Sequence, residues 1–266
     1  TPPNLGGEMF RTRAFLSKSV FVSACVSMSA CLFVPAFSFA WGPVGHRTVA
    51  EIADRNSPIA PFDDRSNYPS EWWAPVPREG APSWEILPQD AGPGEVVLSK
   101  RTELGILSNF AATAFTLDNE SYASVEGFWQ SLKYPEGPDD ERSRDQTIVW
   151  PFTRAQVMQM TAFDAKNAGS KANEIMKKLG INWVTYKAKK ISYLENAKGD
   201  FYNLIVRAER QKLNENAKVK EILLKTGDLK LTPDHHQAPD SPPAWRYFEI
   251  WMDLRSELKA TEAEHT

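Results

Sequence analysis

One acid among aromatic rings is the strongest chemical signal in this chain. Tyr122-Ala123-Ser124-Val125-Glu126-Gly127-Phe128-Trp129-Gln130-Ser131-Leu132-Lys133 follows Gly105-Ile106-Leu107-Ser108-Asn109-Phe110-Ala111-Ala112, a segment with a turn-forming Ser-Asn pair. At helical spacing Val125, Phe128 and Leu132 share one face, the face a core claims, while Glu126, Gln130 and Lys133 share another with Trp129 between them. A carboxylate beside indole and phenyl rings loses hydration, so its charged form is disfavoured and its pKa rises. A general acid or base working near neutral pH needs such a group. The rings of Phe110 and Trp129 offer flat apolar faces for a heterocycle. An ordinary amphipathic helix with a solvated Glu ahead of a Lys reads the same way in periodicity alone.

The block resembles the NADAR family, the YbiA-like proteins linked to riboflavin metabolism. Ser108-Asn109-Phe110 and Ser124-Val125-Glu126 match that family's pattern, and Gln130 lies close to its Gln. Gly127 departs from it, because many members carry His there. Ala165-Lys166 with Gly169, Asn182-Trp183, Leu223-Leu224-Lys225-Thr226-Gly227-Asp228 and the closing Tyr247–Leu258 segment follow in the family's order. The late Trp-Gly segment is absent, and Asp234-His235-His236-Gln237 stands in that region. The resemblance spans about residues 95–258.

What the resemblance implies is hydrolysis of an N-glycosidic bond in a ribosylated base: a phosphoribosylamino-pyrimidine of riboflavin synthesis, or a related ADP-ribose or nucleotide derivative. Such chemistry passes through an oxocarbenium-like sugar, which a carboxylate can stabilise while activating water. Glu126 is that carboxylate in this reading, and Asp234 the second, Asp228 reading instead as a turn residue after Gly227. Trp183 stacks on the base and Asn109 hydrogen-bonds base or sugar. Lys100, Arg101 and Lys166 are the cations nearest in sequence for a phosphate. No cofactor and no metal is expected. A binding module of the same fold, sensing a nucleotide or ADP-ribose derivative without turnover, is the alternative.

The ends of the chain carry other signals. After Met9 come Arg11, Arg13 and Lys18, then a mostly apolar stretch from Ser19 to Phe39 closing on Ser38-Phe39-Ala40. This fits a secretory signal peptide cut after Ala40, with export to the periplasm or medium; without it the expected address is cytoplasmic. Both cysteines, Cys25 and Cys31, lie inside that segment, so disulfides and thiolate chemistry are excluded from the mature chain. Trp41 to about residue 56 looks like the mature start of secreted zinc nucleases and phospholipases C, with His46 in the motif. A zinc phosphodiesterase is therefore a third reading. The chain holds four His in all, too few imidazoles for that family's three-metal site.

Organisation follows from composition. Residues 9–40 form the signal segment, 41–94 an arm rich in Pro and Trp, and 95–260 one domain of α+β class, mostly helical with a small antiparallel sheet. The prolines of 57–94 exclude a long helix, and the Trp residues there pin the arm to the domain or lid the site. Glu95–Leu98 reads as a strand and Ala114–Leu117 before Asp118-Asn119 as half a hairpin. Pro135–Arg144 reads as a surface loop and Lys187–Lys190 as a solvated bend. Helical patterns fall at 154–168, 170–179, 200–215, 218–225 and 245–260, with Thr153 as an N-cap and Gly169 as a stop. The net charge of −3 argues against binding a nucleic-acid duplex and for a small molecule, with no membrane association once the signal is removed. Neither a glycine-rich phosphate loop nor a nucleophile elbow is present.

Overall fold

The computed structural model describes residues 64–264. The signal segment, the nuclease-like stretch after it and His46 lie outside the described residues. Within them the chain is α+β and mostly helical. Three two-stranded ribbons decorate the helices: β2 (Phe115–Leu117) with β3 (Glu120–Tyr122) and β4 (Trp183–Tyr186) with β5 (Lys189–Ser192), both antiparallel, and β1 (Glu95–Val97) with β6 (Lys230–Thr232), parallel. The antiparallel part was expected. The parallel pair joins segments far apart in sequence, a pairing that no local pattern announces.

The hairpin β2–β3 turns on Asp118 and Asn119, at φ 53° and 70°. Positive φ at both central residues gives the turn whose twist suits a hairpin, and Asp and Asn are among the residues that tolerate it. The turn of β4–β5 places Lys187 and Ala188 at φ 51° and 60°. Neither residue favours that region, but both backbone amides donate to the Glu136 carboxylate at 2.7 Å, which holds the turn. The segment read as a solvated bend is exposed throughout, as expected, and forms the hairpin turn and the first two residues of β5.

Helix α1 (Val125–Ser131) starts at Ser124, whose Oγ accepts from Gly127 N at 2.9 Å and donates to Met160 O at 2.9 Å. It packs against α2 (Arg154–Met158), α3 (Ala162–Lys178) and α4 (Asp200–Glu215). Thr153 caps α2 in a reciprocal capping box with Gln156. The helix expected over 154–168 breaks after Met158, and α3 then runs straight through Gly169. Gly169 is therefore no stop. A Cβ there would overlap the Gln130 amide and stand 2.9 Å from its Cγ, so the glycine exists for the closeness of α3 to α1.

Helices α5 (Ala217–Lys225) and α6 (Tyr247–Glu264) complete the core. Phe128, Leu204, Ile205, Ile222, Leu223, Trp251 and Leu254 are buried together with Leu98, Leu104 and Leu107. Trp251 anchors α6 by donating its indole N–H to Leu107 O at 2.7 Å. In the arm, Trp72 and Trp73 are buried and donate to Glu103 and to Glu95 O, the pinning role expected of them. The loop 135–144 does more than cover the surface. Arg142 is fully buried and holds Leu132 O, Lys133 O and Tyr134 O at the exit of α1 while pairing with Asp140. Among the described residues no helix is long and apolar enough to cross a membrane.

Candidate active site

A cavity of about 650 Å³ opens where α1, α3, the Ser108–Phe110 turn and the segment after β6 meet. That size accommodates a nucleotide-sized ligand. From α1 come Glu126, Trp129 and Gln130, with Lys133 one turn beyond; from α3 come Phe163, Lys166 and Asn173. The first residue of α6, Tyr247, and Trp84 of the arm complete the walls together with Asp234 and His235.

Glu126 is 8% exposed. Its Oε1 accepts from Gln130 Nε2 at 2.8 Å, one helical turn on, and its backbone amide donates to Asn109 O at 2.9 Å. Burial pushes its carboxyl pKa up, against the Gln130 hydrogen bond and the charges of Lys133, Lys166 and Lys100. Asp234 behaves in the opposite sense. Burial would raise it, but hydrogen bonds from His235 and Lys100 outweigh that and hold it below the ordinary carboxylate range. Lys100 forms an ion pair with it, and His235 Nδ1 lies 3.2 Å from its Oδ1. The cavity therefore holds two carboxyl groups whose surroundings drive their pKa values apart, the pattern that separates a proton-transferring group from a permanently ionised one.

Two further groups carry chemistry. Burial pushes the Lys133 amine down to about 8, against the opposing pull of Glu126. An amine at that value is partly neutral at physiological pH and can serve as cation, proton carrier or nucleophile. The Tyr247 hydroxyl is buried with no hydrogen-bond partner, as are Asn109 Oδ1 and Gln130 Oε1. Phe110 forms the apolar floor between two cations: Lys100 Nζ lies 5.0 Å and Lys166 Nζ 5.7 Å from its centroid, with Phe163 edge-on at 5.3 Å.

The structure brings Glu126, Asp234, Asn109, Phe110, Trp129, Lys166 and Lys100 to one cavity. Arg101 and Trp183 are not among its walls. Arg101 forks onto the Glu85 carboxylate with two 2.6 Å bonds, joining the arm to the segment after β1. The Trp183 ring lies under Lys190 at 4.3 Å and Arg142 at 5.2 Å, beside a separate groove along the 136–144 loop. Asp228 is a solvated turn residue paired with Lys259, in keeping with its reading from sequence. Gly127 points elsewhere too: a Cβ there would overlap Met160 O and stand 3.1 Å from Val157 O. Its missing side chain leaves no gap in the cavity wall.

Lys133, Tyr247, His235 and Trp84 were not singled out from sequence as site residues. For Lys133 the signal was present, since it shares a helical face with Glu126 and Gln130. Tyr247 arrives from a distant segment and carried none, whereas Trp84 belongs to the arm whose Trp residues were read as pinning it or lidding the site, and it reaches the cavity wall. Among the described residues no group of three or more His, Cys, Asp or Glu side chains is gathered as metal ligands.

No family model matches the chain, and no curated protein does. Among solved structures it is similar to the NMR structure of the E. coli protein YbiA, with TM-score 0.41 and 19% sequence identity over 63% of this chain and 86% of that one.

Proposed function

We propose that the cavity hydrolyses the N-glycosidic bond of a ribosylated base, a phosphoribosylamino-pyrimidine or a related nucleotide derivative. The observation that carries this reading is the pair of carboxyl groups with opposite shifts on one aromatic-walled, lysine-lined cavity. Glu126 activates water and stabilises the oxocarbenium-like sugar, since a carboxylate with a raised pKa is a stronger base than an ordinary one. Asp234 stays ionised and adds negative charge near the developing cation. Phe110 and Trp129 take the base on their faces, Asn109 bonds it, and Lys166 and Lys100 receive a phosphate. Lys133 replaces Arg101 as the third cation of the set, because it faces the cavity and Arg101 does not.

The test is release of ribose 5-phosphate from phosphoribosylamino-pyrimidine, in the presence of chelator, by the chain from Trp41 onward and by its Glu126→Gln variant. Release by the parent that falls by two or more orders of magnitude in the variant is the expected result, given the usual weight of a proton-transferring group. Release that is unchanged in the variant removes Glu126 from the centre. No release by either, with binding of the same compound by calorimetry, makes the cavity a binding module.

A further inference from the structure

We infer that Gln130 is the positioning residue of Glu126, and that Gly169 is the opening in α3 that lets it take this place. The inference rests on the reading of Glu126 as the working carboxylate. Gln130 follows Glu126 at i+4, so the two side chains lie one above the other on α1. Both are 8% exposed, and the 2.8 Å bond from Gln130 Nε2 to Glu126 Oε1 is buried. One carboxylate oxygen is thereby tied back to the helix, and the other is left for the cavity.

The amide stands where it does because α3 carries no side chain opposite. A Cβ on Gly169 would overlap Gln130 Oε1 and Cδ and lie 2.9 Å from Cγ. Any larger residue at 169 must evict the whole amide, not merely nudge its tip. The same closeness leaves Gln130 Oε1 without a hydrogen-bond partner, a cost in a buried site. A glutamine that served packing alone has no reason to bear that cost, whereas one that must deliver its N–H to Glu126 does. The charged groups facing the carboxylate are Lys133 beyond α1, Lys166 from α3 and Lys100 from the segment after β1. All three act as cations at a distance, and Gln130 supplies its direct hydrogen bond. A donor to the charged form of a carboxylate favours that form and fixes its rotamer.

Three variants separate positioning from packing: Gln130→Met, which keeps length and loses the donor, Gly169→Ala, and the double variant Gly169→Ala with Gln130→Ala. The first readout is the titration of the Glu126 carboxyl by carbon-13 NMR, assigned by its loss in Glu126→Gln. It needs no turnover, so it stands whether or not the substrate has been identified. Removing a hydrogen bond to a charged group is worth roughly one pH unit, so the midpoint moves up by about that much in Gln130→Met and in Gly169→Ala. Where ribose 5-phosphate is released, the acid limb of kcat/KM moves by the same amount. In the double variant the alanine at 169 meets no amide, so the melting temperature lost in Gly169→Ala returns to that of Gln130→Ala alone. A Glu126 midpoint unchanged in Gln130→Met overturns the positioning role. A Gly169→Ala penalty equally large with and without Gln130 overturns the role of the glycine. Absence of turnover in the parent protein, with the midpoint shifted as expected, overturns the proposed reaction and leaves the positioning intact.

Discussion

Lys133 gives the sharpest test of the site electrostatics, because its consequence can be calculated and needs no substrate. Its amine is pushed down to about 8 from an ordinary 10.5, with burial as the main cause and Glu126 opposing it. At pH 7.5 an amine of pKa 8 is about one quarter neutral, and one of pKa 10.5 about one part in a thousand, so Lys133 carries roughly a 200-fold larger reactive fraction than a surface lysine. Competitive acylation at a series of pH values, read by peptide mass spectrometry, gives each lysine its own midpoint. Burial slows the reaction of Lys133 but leaves the midpoint where the proton equilibrium sets it. The expected midpoint is near 8 in the parent and lower still in Glu126→Gln, which removes the anion that supports the ammonium. The same shift has a stability consequence. A lysine whose folded pKa is depressed costs the fold stability at all pH values below that pKa, and the cost fades as pH climbs from about 8 to about 10.5. The difference corresponds to about 3 kcal/mol. Lys133→Met therefore has a higher urea midpoint than the parent at pH 7, and the gap narrows above pH 8. A labelling midpoint near 10, or one that ignores Glu126→Gln, refutes the electrostatic coupling on which the site description stands.

Other perturbations probe separate parts of the construction. Tyr247→Phe removes a buried hydroxyl that has no partner in the protein, so its melting temperature is equal to or above that of the parent, while ligand affinity measured by calorimetry falls; a fall in stability with unchanged affinity contradicts a ligand-facing role. Gly127→His forces a side chain into the Val157 and Met160 carbonyls, lowering stability by about 1–3 kcal/mol in urea titration without adding activity. Activity gained in that variant means that position 127 reaches the cavity after all. Arg142→Met leaves Asp140 without its buried partner and frees three carbonyls at the exit of α1, at a cost of about 3–5 kcal/mol; a change under about 1 kcal/mol would mean that the loop holds α1 by packing alone.

Periodicity and turn chemistry carried the local elements well. Thr153 announces its helix because a hydroxyl at the N-cap is a short-range device, Asp118-Asn119 announces a hairpin for the same reason, and Ser124, not read as a cap from sequence, starts α1 in the same way. The failures have long-range causes. Gly169 reads as a stop from its own sequence, but Gln130, 39 positions earlier, occupies the space its side chain would need. The hairpin turn at Lys187-Ala188 has no turn residues, because Glu136 supplies the stabilisation from another segment. Trp183 looks like a base-stacking ring only until Arg142 and Lys190 are seen to occupy its faces. Arg101 looks free for a phosphate only until Glu85 of the arm is placed beside it. The helix face of Glu126, Gln130 and Lys133 was legible because all three lie within one stretch of eight residues.

The distribution of unfavourable groups argues that the cavity is used. Buried acceptors or hydroxyls without partners, a carboxyl forced toward its neutral form and an amine forced toward its own each weaken a fold. Here Asn109, Tyr247, Glu126 and Lys133 line one cavity, while Glu209, whose two carboxyl oxygens have no hydrogen-bond partner, and the buried Lys212 lie outside its walls. Four of the five large apolar side chains exposed among the described residues, Trp84, Phe163, Leu194 and Trp245, line the cavity as well. The exposed apolar faces and the buried charge of Lys133 are costs that a ligand with a flat apolar face and negative charge would reduce on binding. The concentration also predicts how stability and binding trade: substitutions that quiet the cavity, such as Lys133→Met and Tyr247→Phe, stabilise the empty protein and weaken the complex. Were the cavity only a packing defect, the same substitutions would stabilise without any loss of binding, and differential melting with and without ligand distinguishes the two.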